Sequence, residues 1–478
     1  MADVFEVKKY LPKCWLAVIE KYWYPTLPID YPETTTVFDF VTGDDKAAMI
    51  EMEKNLGTED SIISAEDVPD KEAVGAYLGT YDVEGEVGEE VLISPNKLPD
   101  NAIGALAYHY DSENDSWDNI DTVEVKDGYV YATLDEFSPI AVFALKRAAY
   151  YDTTKSQIPA NVYVCNGLTT KVYKNDEDKI VAETDGVITE LTEGDAIVGG
   201  SYDGTDIEST NLFLNGVKID FVIGGSWVYG TVDDGVKNHT KSINVKATDC
   251  EIGTITGAGI WNCADQVTLN ISGCKITRGV GNQMAYYKQH DSNHTLEDSA
   301  KLLGANQWVR KSIINIKDSN VYCMYAAGNN GYATTLDATM YAENCEFEYG
   351  CNGQSNGTVV NVSSTLKDCK VQILNENNRG YWGNGSLTLK GGNEVDKAYV
   401  LGDITDMPTA EVTGKVDLFD VSATDTVKEF YVGAVGNAEV KDYETASKYI
   451  NAVKISRSAN VIYANNADVV LKDILSIK

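Results

Sequence analysis

The chain contains no run of eighteen apolar residues, so its sequence offers no helix long enough to span a membrane. Basic residues are also scarce: 39 Lys and Arg stand against 73 Asp and Glu, and five residues are arginines. The net charge of −34 argues against nucleic acid or an anionic membrane as a partner, because phosphate contacts need clustered cations. This balance suits a highly exposed protein, or one that binds cations or neutral glycans.

The nine cysteines show neither a CxxC motif nor the spacing of zinc ligands. This pattern predicts mostly reduced, buried thiols and is consistent with folding in the cytoplasm. The segment from Met1 to Tyr10 lacks the basic stretch, apolar core and cleavage site of a signal peptide. We therefore expect either that a signal was removed, or that the protein leaves the cell by another route, such as packaging into a virion released by lysis.

Motifs for phosphate binding and for an activated Ser or Cys nucleophile are also missing. Asp291, Glu297, Asp298 and His290 could act as acids or bases, but their spacing matches no known catalytic pattern. The turn 111–118 has Ser116 where a helical calcium loop needs Gly, so a solvated hairpin turn is the better interpretation. The sequence therefore predicts a non-enzymatic protein with no cofactor and no metal site.

The chain does contain a short register that occurs five times: an apolar residue, two spacers, a small residue, one spacer and an apolar residue. The small residues are Cys250, Cys274, Ser319, Cys345 and Cys369, at steps of 24, 45, 26 and 24 residues. Segment 214–219 fits the same register with Val217 at the small-residue position, and segment 387–392 fits it loosely. A period in the twenties with alternating polar and apolar residues predicts stacked β coils about 4.8 Å apart. The five small residues should then form one buried row that fills the core, with Asp249, Asp318 and Asp368 stacked at the bend before it.

These coils resemble the right-handed parallel β-helix, the architecture of pectate lyases and many phage tailspikes. The resemblance covers roughly residues 200–400, concerns architecture alone, and brings no catalytic motif with it. It implies an all-β fold.

The interrupted coil is the 45-residue step, which carries about twenty extra residues and predicts an insertion at 279–310. Long excursions from a rigid scaffold often carry binding sites, although this one could merely cap the coils. Gly- and Asn-rich bends with nearby aromatics recur along the same edge; Gly and Asn also suit tight bends without any ligand. The resulting glycan-binding candidates are Trp261, Tyr286, Tyr287, Trp308, Tyr332, Tyr381 and Trp382.

The N-terminal part differs from the coils. Residues 1–28 form an aromatic docking segment with Trp15, Tyr22 and Trp23 as anchoring candidates, unless they pack on a neighbouring domain. Residues 29–150 predict a small β-sandwich. This part contains the motifs His109-Tyr110-Asp111, Trp117, Asp127-Gly128 and Phe137-Ser138-Pro139. These motifs resemble an Ig-like module of gut bacterial surface proteins, which implies a spacer or adhesive role.

The predicted fold class is therefore all-β: an Ig-like β-sandwich, a β-rich connector at 151–210, a right-handed parallel β-helix at 211–400, and further coils or a β cap at 401–478. The function we expect is that of a non-enzymatic virion structural protein (capsid decoration, head fibre or tail component) that binds other virion proteins or cell-surface glycans. Copies should form a homo-oligomer. The alternatives are a polysaccharide-degrading tailspike or lyase, and an adhesin on the bacterial cell surface.

Overall fold

The computed structural model describes residues 38–40, 73–99, 102–111, 113–114, 116–152, 161–202, 205–227, 238–260, 262–282, 308–328, 333–353, 357–376, 381–401, 415–432, 450–464 and 475–477. Every regular element in these ranges is a β-strand, and none of the described residues belongs to a helix that could cross a membrane. The chain divides into two compact units, 1–147 and 148–478.

The first unit consists of two antiparallel sheets. Its strands are β1 (Phe38–Phe40), β2 (Ala73–Val83), β3 (Glu90–Leu92), β4 (Ala102–Asp111), β5 (Ser116–Asn119), β6 (Glu124–Lys126), β7 (Tyr129–Thr133) and β8 (Ile140–Arg147). One sheet has the order β1-β2-β8-β4-β5 and the other β3-β7-β6. Residues of both sheets, among them Tyr81, Val130 and Val142, share one buried apolar cluster.

The turns of this unit follow from their residues. Asp127 and Gly128, with φ of 52° and 83°, close the hairpin of β6 and β7, because Asp and Gly tolerate the left-handed conformation. The predicted hairpin turn at 111–118 is confirmed by the antiparallel pairing of β4 with β5. There Asp111 Oδ1 accepts hydrogen bonds from the backbone N–H of Glu113 at 2.8 Å and of Asn114 at 3.2 Å. The Asn114 side-chain amide, as the largest influence, lowers the pKa of Asp111.

The second unit contains two long sheets, which we name sheet 1 and sheet 2. Sheet 1 has twelve strands: β9 (Tyr150–Asp152), β10 (Val162–Val164), β14 (Ala196–Val198), β16 (Lys218–Ile223), β19 (Glu251–Thr256), β22 (Lys275–Gly281), β24 (Asn320–Tyr325), β26 (Glu346–Cys351), β28 (Lys370–Asn375), β30 (Glu394–Tyr399), β32 (Thr426–Tyr431) and β34 (Asn460–Tyr463). Sheet 2 has thirteen: β11 (Thr170–Lys174), β12 (Ile180–Thr184), β13 (Val187–Glu190), β15 (Ile207–Asn215), β18 (Asn238–Thr248), β21 (Asn262–Ser272), β23 (Trp308–Lys317), β25 (Ala333–Glu343), β27 (Gly357–Lys367), β29 (Tyr381–Lys390), β31 (Lys415–Val421), β33 (Val453–Ile455) and β35 (Leu475–Ile477). A short parallel pair, β17 (Ser226–Trp227) and β20 (Gly259–Ile260), lies beside them.

From β15 to β35 the chain alternates between the two sheets, apart from the short β17 and β20, and each strand pairs in parallel with the next strand of its own sheet. Among the described strands of this unit, antiparallel pairing is confined to β9 with β10 and to β11, β12 and β13 at the N-terminal end of the stack. We call one sheet 2 strand and the following sheet 1 strand a coil. One buried apolar cluster runs through the coils from Tyr163 to Ile455. This architecture of two long, mostly parallel sheets is compatible with a β-helix.

The bend from sheet 2 into sheet 1 begins with a residue of positive φ in seven consecutive coils. These residues are Gly216, Asp249, Gly273, Asp318, Asn344, Asp368 and Gly391, with φ between 50° and 101°. The left-handed conformation costs most residues about 1–2 kcal/mol, and Gly, Asn and Asp tolerate it best. Asp249, Asp318 and Asp368 share this position as expected, but Gly or Asn separates them, so no two carboxylates adjoin.

The next residue of each bend forms the predicted buried row of small residues, which is confirmed: the five members are at most 5% exposed. The row is more than core filler, because it bonds one coil to the next. The backbone N–H of Cys250 donates to Cys274 Sγ at 3.4 Å, and that of Cys274 donates to Ser319 Oγ at 3.1 Å. The thiol of Cys274 and the hydroxyl of Ser319 in turn donate to carbonyl oxygens two residues earlier, at 3.2 and 2.7 Å.

The row continues beyond the predicted positions with larger polar residues. The backbone N–H of Cys369 donates to Asn393 Oδ1 at 2.9 Å, and that of Asn393 donates to Asp425 Oδ1 at 2.9 Å. Asn393 and Asp425 are each 1% exposed. The side chains of Cys274, Ser319, Asn393 and Asp425 thus each accept a backbone N–H from the coil before, which satisfies donors that would otherwise be buried without partners.

Candidate functional site

A cluster of polar and aromatic side chains lies on the outer face of sheet 2, at the coils on either side of the insertion. In the parallel register His239 aligns with Cys263, and the next residue, Ala264, aligns with Val309. Continuing this register by one residue places His239, Cys263 and Trp308 in one row across β18, β21 and β23. The His239 and Trp308 rings approach to 5.5 Å between centroids, at 44°, across the strand that carries the buried Cys263. A small residue in the middle strand allows this contact.

The next outward row supplies the charges of this cluster. Asp265 aligns with Lys241 on one side and with Arg310 on the other. Arg310 Nε lies 2.9 Å from Asp265 Oδ1, and His239 Nε2 lies 3.4 Å from Asp265 Oδ2. The Arg310 guanidinium also lies over the Trp308 ring, 5.2 Å from its centroid. We name His239, Asp265, Trp308 and Arg310 the Trp308 cluster.

The Trp308 cluster is accessible and only partly committed to internal bonds. The side chains of His239, Asp265 and Arg310 are 28%, 40% and 56% exposed. His239 Nε2 is buried and has no hydrogen-bond partner among the described residues, and Arg310 engages Asp265 through Nε. The neighbouring Lys241 is occupied, because its ammonium pairs with Glu208, whose carboxylate raises the pKa of Lys241.

A second arginine flanks the insertion on the outer face of sheet 1. Strand β22 carries one extra residue relative to both of its neighbours, and this bulge includes Arg278. The Arg278 guanidinium bonds Asp220 Oδ1 at 2.7 Å and Thr254 Oγ1 at 3.1 Å, and it lies 4.3 Å from the Phe221 ring centroid. A Cβ on Gly253 would lie 2.3 Å from its Nη2, so this glycine makes room for the arginine.

A polar groove runs across five strands of sheet 1, from β24 to β32, with a volume of about 330 Å³. Outward residues of two adjacent rows line it: Asn320, Glu346, Lys370 and Glu394 in one, and Glu348, Gln372, Asp396 and Lys428 in the other. Its two lysines are already paired, Lys370 with Glu346 at 3.3 Å and Lys428 with Asp396 at 2.6 Å. The Asp396 carboxylate raises the pKa of Lys428.

Of the sequence-predicted glycan-binding residues, Trp308 is the one whose side chain the structure describes, and it lies in the cluster. Tyr381 and Trp382 belong to β29, which pairs with β27. Trp261, Tyr286, Tyr287 and Tyr332 lie outside the described residues, as do most of the insertion and the anchoring candidates Trp15, Tyr22 and Trp23. These assignments stay predictions.

Sequence reasoning missed His239 and Asp265, although the repeat itself contains the signal. Lys241, Asp265 and Arg310 each lie six residues before the first apolar residue of their register, namely Ala247, Ile271 and Ile316. His239 and Trp308 each lie eight residues before the same landmarks. Extending the alignment of the coils toward the N-terminus of each sheet 2 strand would therefore have brought these side chains together.

Nor does the structure show a metal centre: no three His, Cys, Asp or Glu side chains among the described residues are grouped as ligands. The eight cysteines of the described ranges form no disulfide with one another. Comparisons with protein-family models, with curated proteins and with solved structures found no match. The class that the fold defines is therefore an all-β protein with two long, mostly parallel sheets, and its function has to be argued from its own residues.

Proposed function

We propose that this protein is a non-enzymatic structural protein: a right-handed parallel β-helix that presents the Trp308 cluster as a glycan-binding surface, preceded by an Ig-like spacer. The observation that carries the proposal is the convergence of Trp308, His239, Asp265 and Arg310 on one outer face. An aromatic surface beside a few convergent polar groups is the usual composition of a small-molecule or sugar site.

Several features favour binding over hydrolysis. A glycosidase of the usual type needs two carboxyl groups on opposite sides of the scissile bond. Within the Trp308 cluster Asp265 is the single carboxylate, and it is bonded to Arg310. Among the described residues, the nearby Glu208 pairs with Lys241, and Asp206 accepts the backbone N–H of His239 at 2.8 Å, so these two acids are occupied.

A rigid scaffold also supports a binding role. The cluster lies on strands that are paired on both sides, and its backbone positions are fixed by continuous ladders from β15 through β29. Sites built on strands hold their side chains more tightly than sites on loops. Multiple copies on one particle would then raise a weak affinity through avidity.

A virion component (capsid decoration, head fibre or tail protein) is the assembly that we propose for these copies, as homo-oligomers. The buried cysteines of the small-residue row, none of which forms a disulfide, support folding inside a cell before release. Co-purification of the protein with intact particles through a density gradient tests this assignment. Recovery of the protein at the bacterial surface instead would favour the adhesin alternative.

The binding proposal is tested on an array of printed neutral and acidic glycans, probed with the labelled full chain. We expect at least one glycan to retain the wild type and to release the Trp308→Ala variant. The matched control is Tyr322→Ala, because Tyr322 is 52% exposed on sheet 1, away from the cluster. Equal retention of wild type and Trp308→Ala, or no retention of either, would contradict the proposal.

The second candidate, a polysaccharide lyase or hydrolase, rests on the same His239–Asp265 contact, since an imidazole beside a carboxylate can move a proton. Incubation with the polysaccharides that the array identifies separates the two. Release of reducing ends or unsaturated sugars that disappears in His239→Gln would establish the enzyme, whereas intact polysaccharide supports a binding protein.

A further inference from the structure

Inside the stack, Glu376 is a carboxyl group that the proposed glycan site does not use. It follows β28 directly and is 1% exposed. Its Oε1 accepts a hydrogen bond at 2.7 Å from the side-chain amide of Asn352, which follows β26 one coil earlier and is fully buried. The same amide nitrogen donates to the backbone oxygen of Ser386 at 3.1 Å.

The other oxygen of each group has no partner among the described residues: Glu376 Oε2 and Asn352 Oδ1 are both buried and unbonded. An ionised carboxylate can only accept hydrogen bonds, so an ionised Glu376 could not satisfy the Asn352 oxygen. A proton on Glu376 Oε2 turns that atom into a donor. The carboxyl and the amide can then bond reciprocally, and both unpartnered oxygens are satisfied.

The described residues around Glu376 are shaped for the carboxyl group, and none of them offers it a counter-charge. A Cβ on Gly385, in β29, would lie 2.6 Å from Glu376 Oε1, so the glycine makes room for the side chain. Burial raises the pKa of Glu376 well above its usual range, and the opposing influence is the Asn352 amide, a neutral group.

The titratable groups on the neighbouring ends of β26 and β30 are Tyr349, Cys351 and Tyr399, which are uncharged in their ordinary states near pH 7. The lysines of β27 and β29, Lys367 and Lys390, are the last residues of their strands, at the ends away from Glu376. Among the described residues, no charge of either sign therefore opposes or favours the ionised form of Glu376 from the strands packed around it.

We propose that Glu376 and Asn352 form a buried proton-binding site, in which a neutral carboxyl and an amide bond reciprocally and join two coils. Loss of the proton to solvent leaves a negative charge on Glu376 inside the stack. Glu376 Oε2 and Asn352 Oδ1 are then both hydrogen-bond acceptors, so the contact that joins the two coils is weakened. The site makes the interior of the stack responsive to pH, independently of any glycan bound on sheet 2.

The direction of the pH dependence follows from linkage. The folded chain keeps a proton on Glu376 at pH values where an unfolded glutamate, with a pKa of about 4.3, has lost it. The stabilisation is therefore complete at low pH and is lost as the pH rises toward the raised folded-state pKa. Between the unfolded-state and the folded-state pKa, the equilibrium constant for opening the Glu376–Asn352 contact should increase about tenfold per pH unit. Glu376→Gln should abolish the dependence, because a glutamine amide makes both bonds without titrating.

Hydrogen exchange of the full chain tests this at the Asn352 and Glu376 amides, which donate to Asn375 and Tyr399 oxygens at 3.0 Å each. At each pH the exchange rate of the wild type is divided by that of Glu376→Gln, and we expect this ratio to rise with pH. The control variant Glu348→Gln changes an exposed glutamate and should exchange at the wild-type rate. A ratio that does not change with pH would overturn the proposal.

Infrared difference spectra provide a second readout that does not depend on stability. We expect the wild type minus Glu376→Gln spectrum, recorded about one pH unit above the ordinary glutamate pKa of about 4.3, to contain the carbonyl stretch of a protonated carboxylic acid. A carboxylate band in its place would show that Glu376 is ionised and would also refute the proton site. Neither result bears on the array experiment, so this proposal and the glycan-binding proposal fail independently.

Discussion

Replacing Cys274 separates a hydrogen-bonding role of the small-residue row from a space-filling role. Cys274 Sγ accepts the backbone N–H of Cys250 at 3.4 Å and donates to the Ser272 oxygen at 3.2 Å. In Cys274→Ala the Cys250 amide stays buried without an acceptor, which costs about 1–3 kcal/mol, and loss of the sulfur adds a small cavity. We expect a total destabilisation of about 2–4 kcal/mol.

Cys274→Ser should cost less than about 1 kcal/mol, because the row already contains a serine that makes both kinds of bond: Ser319 Oγ accepts at 3.1 Å and donates at 2.7 Å. Amide exchange at Cys250 is the assay, since a 2 kcal/mol loss corresponds to roughly thirtyfold faster exchange. Cys323→Ala, a thiol in sheet 1 outside the row, is the control. If the alanine and serine variants protect the Cys250 amide equally, the row is only filler and this reasoning is wrong.

The remaining predictions concern glycines and ion pairs of the coils. Gly273→Ala should destabilise the chain by at least about 1–2 kcal/mol, because φ is +65° at this position and the new Cβ would lie 2.1 Å from Asp249 Oδ1. Urea unfolding measures this loss, and an unchanged midpoint of the unfolding transition would contradict the prediction. Asp249→Gly should be tolerated within about 1 kcal/mol, because glycine occupies the same bend position in other coils. Gly253→Ala should displace Arg278 from Asp220, which a crystal structure of the variant would show; an intact 2.7 Å contact would contradict it. Lys370→Ala should change stability by less than about 1 kcal/mol, because its pair with Glu346 is exposed.

Spacing alone was sufficient to predict which residues share a row of the stack. Cys250, Cys274 and Ser319 align because the apolar residues around them must enter one core, and a shift of one residue would turn every side chain to the other face. The preference for Asp, Asn and Gly at the bend was also readable, since positive φ restricts the choice of residue.

The hydrogen bonds within those rows could not be predicted in the same way. A period describes burial, but whether Cys274 accepts a backbone N–H depends on the separation of coils at the bend. Glu376 was missed because a glutamate at the end of a strand is usually exposed, and only the tertiary position of Asn352 explains its burial. His239 and Asp265 were missed because no local motif marks them, although their offset from the repeat does.

Equilibrium titration of the full chain with the glycan that the array ranks highest tests the central claim most directly. The account predicts saturable binding by the wild type and by Tyr322→Ala, and at least a tenfold weaker affinity for Trp308→Ala and for Arg310→Gln, since each removes a group of the Trp308 cluster. Identical affinities for all four proteins would contradict the claim that this face of sheet 2 binds the ligand.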